Sequence, residues 1–396
     1  MADAYLTLGV SSTKEEIHKA VEKLDRGVFA NAFCKLIDDP YGDPDWCAAM
    51  HADGAGTKAS LAYLKFRETG DYTPFFDIAQ DSIVMNLDDL LCVGAVDGFV
   101  MSNTIDRNAH RIDGKAVSAV IDGYQSFIES MKQFGINILM CGGETADVGD
   151  LTSTLIVNST FFVRLPKKDV VDCANIKSGQ VIVGFSSSGK AVYEKKYNAG
   201  MGSNGLTAAR HLLLSKYYAE KYPESYSDTI DYDKVYRGKF MLDDILPGSE
   251  MFIEGGVSIG DAMLSPTRTY APVIRELLSS CREGIGGIIH CTGGGQVKCR
   301  NFGSGVRYIK DNLIEIPPLF RTIFENSDIT PKEMYQTFNM GQRLEAFCDP
   351  EIASNVIAVA DKYGIEAKIT GRIEASVSGR NEVVINDKLT DSVFEY

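Results

Sequence analysis

"HADGAGTKASLAYL", residues 51–64, sets an acid, two glycines, a threonine and a lysine just ahead of a short apolar run. Gly54, Ala55 and Gly56 can bring bare backbone N–H groups close to a ligand. Lys58 supplies a point charge suited to phosphate. Asp53 is a hard oxygen donor suited to a divalent cation. Together they describe a metal–polyphosphate site. A glycine-rich turn between two strands, flanked by a solvated Asp and Lys, has the same appearance, so the choice rests on the rest of the chain.

The 396 residues favour two domains. With 44% hydrophobic and 24% charged residues the chain can bury a sizeable core. A net charge of −14 and the lack of any Lys/Arg run argue against a general nucleic-acid binder. Nine cysteines, an odd number without a CxxC pair, argue against a disulfide framework and a structural zinc site. Five histidines, none at HxxxH spacing, weaken a zinc-hydrolase reading. The amino terminus lacks an apolar signal core and no run of 18 apolar residues follows, so the expectation is a soluble, reduced, cytoplasmic protein without membrane partners.

Periodicity predicts helices at 13–25, 77–94 and 116–134. "INILMCGGETADV" reads as a buried strand running into a Gly–Gly turn, and 154–166 as a strand stopped by Pro166. The polar stretch 166–180 is the expected boundary, giving domains 1–168 and 169–396. The second half restarts with "VIVGFSSSG" and a helix from about Ser203. A Tyr-, Asp- and Gly-rich surface excursion is expected at 222–250. Further elements are a helix opened by Pro266, the strand "GGIIHC" before a glycine run, a helix near 350–363 and a strand at 366–374. Strands and helices mixed in both halves favour α/β or α+β.

At ~100° per residue, Asp77, Asp81 and Asp88 fall within roughly 40° of one another on the 77–94 helix, with Asp89 about a quarter-turn away. Three acids on one face are either solvated or share a cation. "CGGETAD" at 141–147 presents Glu144 and Thr145 after Gly142–Gly143, as ligand groups or an exposed turn.

In these motifs the chain resembles the aminoimidazole ribonucleotide synthetase (phosphoribosylformylglycinamidine cyclo-ligase) family. "ADGAGTK" at 52–58 is similar to the family's "TDGVGTK", "DSIVMNLDDLLCVGA" at 81–95 to its "DLVAMCVNDLVxxGA", and "GGETAD" at 142–147 to "GGETAE". "SSSG" at 186–189 with "SNG" at 203–205 resembles "SSGxHSNG". "SPTRTY" at 265–270, "IIHCTGGG" at 288–295 and "MYQTFNMG" at 334–341 resemble "xPTRIY", "IAHxTGGG" and "MYRTFNCG". Seven matches in order span most of the chain. The first three are shared with other ATP-using enzymes of the wider superfamily, while "PTRTY" and "TFNMG" favour the cyclo-ligase.

The resemblance implies an α+β (mixed α/β) fold of two domains, each a sheet flanked by helices, together with ATP and Mg²⁺, a small ribonucleotide substrate, and a homodimer made through the amino-terminal sheets. It places Asp53, Asp81 and Asp89 at the metal, and Asp53, Gly54, Gly56, Thr57, Lys58, Asp89, Gly142 and Gly143 at the nucleotide. Lys58, Glu144 and Thr145 take catalytic roles, the last two to bind metal or orient the reacting amide, and Asp88 stands where the family has Asn, an extra carboxylate that either tightens metal binding or faces water. Ser203, Asn204, Arg268, Thr292, Gly293, Gly294 and Asn339 are expected on the substrate side. Arg268 reads equally as a salt bridge, Asn339 as a turn-fixer, and His290 as a satisfied core residue. The implied reaction is ATP-dependent ring closure of formylglycinamidine ribonucleotide; a small-molecule kinase and a non-catalytic nucleotide-binding dimer are the alternatives. Three departures mark a divergent branch. The glycine-rich stretch before the first motif is replaced by "FANAFCKLIDDPYGDPDW", and the tract after "TGGG" lacks "xENIPR". The motif histidine before "SNG" is absent, with 190–201 inserted, so its role is lost, moved or filled by Lys195 or Lys196.

Overall fold

A computed structural model describes Leu8, Ala20 and residues 23–396; the helix expected at 13–25 falls almost wholly outside them. The first sheet contains β1 (Ile37–Asp38), β2 (Trp46–Gly54), β3 (Phe99–Arg107), β4 (Ile138–Asp147) and β5 (Leu155–Pro166), in the spatial order β1-β2-β5-β3-β4. Strands β2 and β3 run antiparallel to β5 while β4 is parallel to β3, so β2, β3 and β4 all end at one edge. Strict alternation along β5 buries Leu155, Val157, Phe161, Val163 and Leu165. Helices α1 (Lys58–Thr69), α2 (Thr73–Leu91) and α3 (Gly114–Lys132) form the layer on that buried side. The even-numbered face carries one register row of apolar residues, Met50–Phe162–Val100–Leu139, with Met50 71% and Leu139 63% exposed.

The second sheet comprises β6 (Val181–Ser186), β7 (Ile285–His290), β8 (Val306–Lys310), β9 (Gln342–Cys348), β10 (Ala367–Ala375), β11 (Glu382–Asn386) and β12 (Val393–Glu395), ordered β12-β11-β8-β10-β6-β9-β7. Only β8 and β11 pair in parallel. Its helices are α4 (Leu206–Leu213), α5 (Tyr217–Lys221), α6 (Ile259–Leu264), α7 (Ala271–Cys281), α8 (Pro318–Glu325), α9 (Pro331–Thr337) and α10 (Ala353–Lys362). The two halves share one continuous core. Helix α2 joins them: 15 of its 19 residues are buried, because it packs on β2 and β5 and also on α7 and β7. No helix among the described residues is long and apolar enough to cross a membrane.

Four expectations change. The opening stretch turns from strand β2 into helix α1, not from strand to strand. Strand β4 continues through Gly142–Gly143 to Asp147 and is largely exposed, since it is an edge strand whose pairing with β3 resumes after a shift in register. The helix expected from Pro266 begins at Ala271, because 265–270 is irregular and spends backbone and hydroxyl donors on carboxylates of α2. The 222–250 stretch is anchored rather than a free surface excursion, with Tyr222, Val235, Tyr236, Leu242 and Leu246 in the core.

Candidate active site between the strand ends and the second sheet

At the end of β2 the chain reverses within three residues. Gly54 lacks room for a side chain: a Cβ there would lie 2.0 Å from Asn158 Oδ1. Gly56 sits at φ 58°, a left-handed conformation that glycine adopts without strain. Asp53 stays exposed, its Oδ1 accepting from the Gly54 N–H at 2.7 Å. The Thr57 hydroxyl meets that of Thr207 on α4 at 2.8 Å, tying the turn to the helix that follows Ser203–Gly205. A Cβ built on Gly293 would lie 3.9 Å from Asn204 Nδ2, so the "SNG" loop borders the glycine run. There Lys298 donates to the Thr292 hydroxyl at 2.6 Å. The fold thus gathers Asp53, the 54–57 turn, Ser203–Asn204 and Thr292–Gly294, and adds Lys298, whose sequence setting carried no signal.

The acidic face of α2 is neither solvated nor gathered on one cation. Asp81, Asp88 and Asp89 each dock on a different part of the second half, whereas Asp77 is half-buried and makes no such contact among the described residues. Asp81 Oδ1 receives Lys58 Nζ at 2.6 Å and the Thr267 N–H at 2.9 Å, with the Thr267 hydroxyl also donating. Its Oδ2 is buried without a partner. Lys58 is fully buried and also donates to the Ser265 carbonyl at 2.6 Å. Burial lowers its pKa, against the pull of Asp81. Asp88 accepts from the Thr269 hydroxyl at 2.6 Å and the Tyr270 N–H at 3.1 Å, with Arg343 at 3.8 Å. Burial pushes its carboxyl up to about 7. The reading in which Asp88 faces water is corrected by these contacts.

Asp89 sits between two imidazoles, His290 Nδ1 at 2.7 Å and His51 Nε2 at 3.3 Å. Burial alone would raise its pKa, but the hydrogen bonds from His290 and His51 outweigh it and hold the carboxyl well below the usual range. The Asn86 amide nitrogen donates to the carbonyls of Asp53, Ser82 and Ser159, so its Oδ1 must be the group that His51 Nδ1 meets at 2.9 Å. Acceptors stand on both sides of His51; burial lowers its pKa, but Asp89 and Asn86 together raise it above the ordinary value. Burial pushes His290 down to about 4, against Asp89. His290 is therefore neutral, donates through Nδ1, and leaves Nε2 as a buried acceptor without a partner.

Asp53, Asp81 and Asp89 do not converge: no group of three or more His, Cys, Asp or Glu among the described residues has metal-holding geometry. Asp53 alone of the three is exposed, and a single carboxylate is the usual protein share where Mg²⁺ is held mostly through phosphate and water. Glu144 and Thr145 lie at the same sheet edge but not in the same cluster. Gly54, Asn158, Thr104 and Glu144 share a register row, which puts Glu144 three strand spacings, roughly 14 Å, from the β2 end.

Two substrate-side expectations are corrected. Arg268 is 1% exposed, chelates Glu194 at 2.6 and 2.9 Å and donates to the Ser186 and Ser188 carbonyls, which makes it an internal tie. Asn339 is buried and spends its amide on Gly200 and Met201 carbonyls and its oxygen on Ser187 and Gly341, which fixes the turn before β9. Lys195 and Lys196 are exposed on the inserted segment, away from the glycine run.

The family models described as AIR synthase related protein, N-terminal domain, and AIR synthase related protein, C-terminal domain, match residues 31–163 and 177–383. The phosphoribosylformylglycinamidine cyclo-ligase of Methanocaldococcus jannaschii is 28% identical over 87% of this chain and 85% of its own. Among solved structures, Thermotoga maritima PurL complexed with AMPPCP superposes with a TM-score of 0.52 at 14% identity. That alignment covers 100% of this chain and 49% of PurL, so the chain spans about half of it. AaThiL complexed with AMPPCP and TMP gives a TM-score of 0.54 at 10% identity, covering 93% of this chain and 91% of its own. At such identities the two structures share the fold.

Proposed function

The chain belongs to the AIR synthase related family, and from that premise we propose that it closes the imidazole ring of formylglycinamidine ribonucleotide, consuming ATP and releasing aminoimidazole ribonucleotide, ADP and phosphate. The observation that carries this reading is the alignment with a named cyclo-ligase over 87% of the chain. AMPPCP-bound relatives of the same fold support ATP as the phosphoryl donor.

An amide oxygen is a poor leaving group. Transfer of the γ-phosphoryl group to the formyl oxygen makes it a phosphate; the amidine nitrogen then attacks the formyl carbon, the C–O bond breaks, and phosphate departs. The Gly54 N–H is taken by Asp53 and the Ala55 N–H by the Val157 carbonyl, so the N–H groups of Gly56 and Thr57 are the ones that would meet the polyphosphate. Asp53 would hold Mg²⁺, which supplies charge neutralisation on the transferring group. Thr292–Gly294 and Lys298 form a cradle for the ribose phosphate, with Gly294 in a left-handed conformation at φ 94°. Lys58 acts through Asp81 as the brace beneath the phosphate turn.

The reading includes a homodimer. The exposed apolar row on the first sheet suits a second copy of itself. Such pairing can bring one chain's Glu144–Thr145 edge to the other's Asp53 turn. Incubation of pure protein with ATP, Mg²⁺ and formylglycinamidine ribonucleotide decides the activity. Aminoimidazole ribonucleotide and one phosphate per turnover are expected. A stable phosphorylated product would instead make it a kinase, and no turnover with any acceptor a nucleotide-binding dimer.

A further inference from the structure

The inserted segment 190–201 lies as a strap across α2 and α3. It is pinned at both ends: Tyr193 donates to the Thr269 carbonyl at 2.5 Å, and Asn198 Nδ2 to the Pro266 carbonyl at 2.8 Å. Between the strap and the two helices is a cavity of about 250 Å³. Phe76, Phe127, Tyr193 and Tyr197 supply its aromatic wall, and Asp77 its one helix-borne charge. No hydrogen bond or ion pair among the described residues engages the Asp77 carboxylate. Burial pushes its pKa up to about 6, while the exposed Lys196 at the rim works the other way.

A half-buried carboxylate without a partner, beside aromatic rings, is costly unless a ligand completes it. The rings suit a flat face, and the carboxylate suits two parallel N–H donors. Lys195 and Lys196 carry no ion pair and favour an anionic group at the mouth. None of the residues assigned above to nucleotide, Mg²⁺ or phosphate lines this space.

We propose that this cavity is a second small-molecule site, which takes a planar zwitterion with an amidinium- or guanidinium-type head against Asp77 and an anionic tail at Lys195–Lys196. At about 250 Å³ the cavity falls just below the roughly 300–1,000 Å³ typical of ligand sites, so the occupant is a small molecule rather than a peptide. The site is coupled to the strap's other contacts: Glu194 chelates Arg268, and Asp77 stands one helical turn before Asp81.

The probe is 4-amidinobenzoate, titrated calorimetrically into the full chain, with 4-carbamoylbenzoate as the neutral-headed isostere. One saturable site is expected for the amidine, with the amide and the Asp77→Asn variant each at least ~10-fold weaker. Ser126→Trp, which fills the cavity and leaves every charge in place, removes binding. Asp53→Asn leaves it unchanged. The proposal is overturned by absence of binding, by equal binding of amidine and amide, or by loss of binding with Asp53→Asn, which would put the probe in the nucleotide site. Should Asp77→Asn fail to fold, the amidine-to-amide ratio on the unmodified chain and the Ser126→Trp titration decide the matter.

Discussion

Lys58 Nζ and Asp81 Oδ1 lie 2.6 Å apart with both side chains fully buried. The lysine that sequence reading places at the phosphate is, in the fold, the counter-ion of an acid on the neighbouring helix. Its removal therefore strands a buried charge. Lys58→Ala is expected to cost about 3–5 kcal/mol of stability, visible as a lower thermal midpoint before any effect on turnover is considered. Adding Asp81→Asn removes the stranded charge and should recover part of that loss, a coupling of roughly 1–3 kcal/mol. Equal midpoints for the unmodified and Lys58→Ala chains would show that Lys58 is not a brace.

This pair also marks where the sequence ceases to be legible. Helix α2 and strand β5 follow from periodicity, because burial on α2 and alternation on β5 are local in the chain. The acids of α2 could be placed on one face by the same rule, but their partners stand 181 to 201 residues away, as Asp88–Thr269 and Asp89–His290 show. Without those partners a solvated face and a buried one look alike. Arg268 and Asn339 illustrate the converse. Both sit in motif-like stretches, and only the fold reveals that Glu194 and the Gly200–Met201 carbonyls use up their donors. Lys298 was silent because a lysine six residues past Thr292 has no pattern of its own.

Asp53 offers the contrasting case. It is exposed at the end of β2, so Asp53→Asn should leave the thermal midpoint nearly unchanged, within about 0.5 kcal/mol. Apparent Mg²⁺ affinity in the ATP-dependent assay should fall at least ~10-fold, and turnover with it. Magnesium titrations of the rate on both proteins check this. Superimposable curves would remove Asp53 from the metal.

His211 makes the fold acid-sensitive. It is buried against the Tyr236 ring, accepts the Tyr236 N–H at Nδ1 and has no partner at Nε2. Burial, then Arg210 and Lys216, push its pKa down to about 3, below the ordinary value of 6.5. The unfolded chain thus takes up a proton that the folded chain refuses. This contribution is complete above pH 6.5 and is lost progressively as pH falls towards 3. The thermal midpoint should drop over that interval, and less steeply in His211→Gln. Parallel pH profiles for the two proteins would assign the acid limb to other groups.

The separation of Asp53 from Glu144 yields the sharpest test of the dimer. Roughly 14 Å between their strands keeps the two from meeting within one chain. If two copies pair through the Met50–Phe162–Val100–Leu139 row, one chain's Glu144 can serve the other's Asp53. Leu139→Glu and Met50→Lys then put charges into the interface and should yield a monomer in sedimentation, with activity lost although neither residue touches the turn. Complementation follows from the same geometry. Asp53→Asn and Glu144→Gln homodimers are each expected to be nearly inactive. After exchange of subunits, about half of the dimers are mixed by random association, and each mixed dimer holds one site with both native residues and one with neither. Mixing should therefore restore about a quarter of the unmodified rate, by that statistical count and the isologous symmetry of such a dimer. Activity that stays at the level of the separate mutants, with exchange verified by native mass measurement, would mean that each chain uses only its own residues, and would leave Glu144 outside the site.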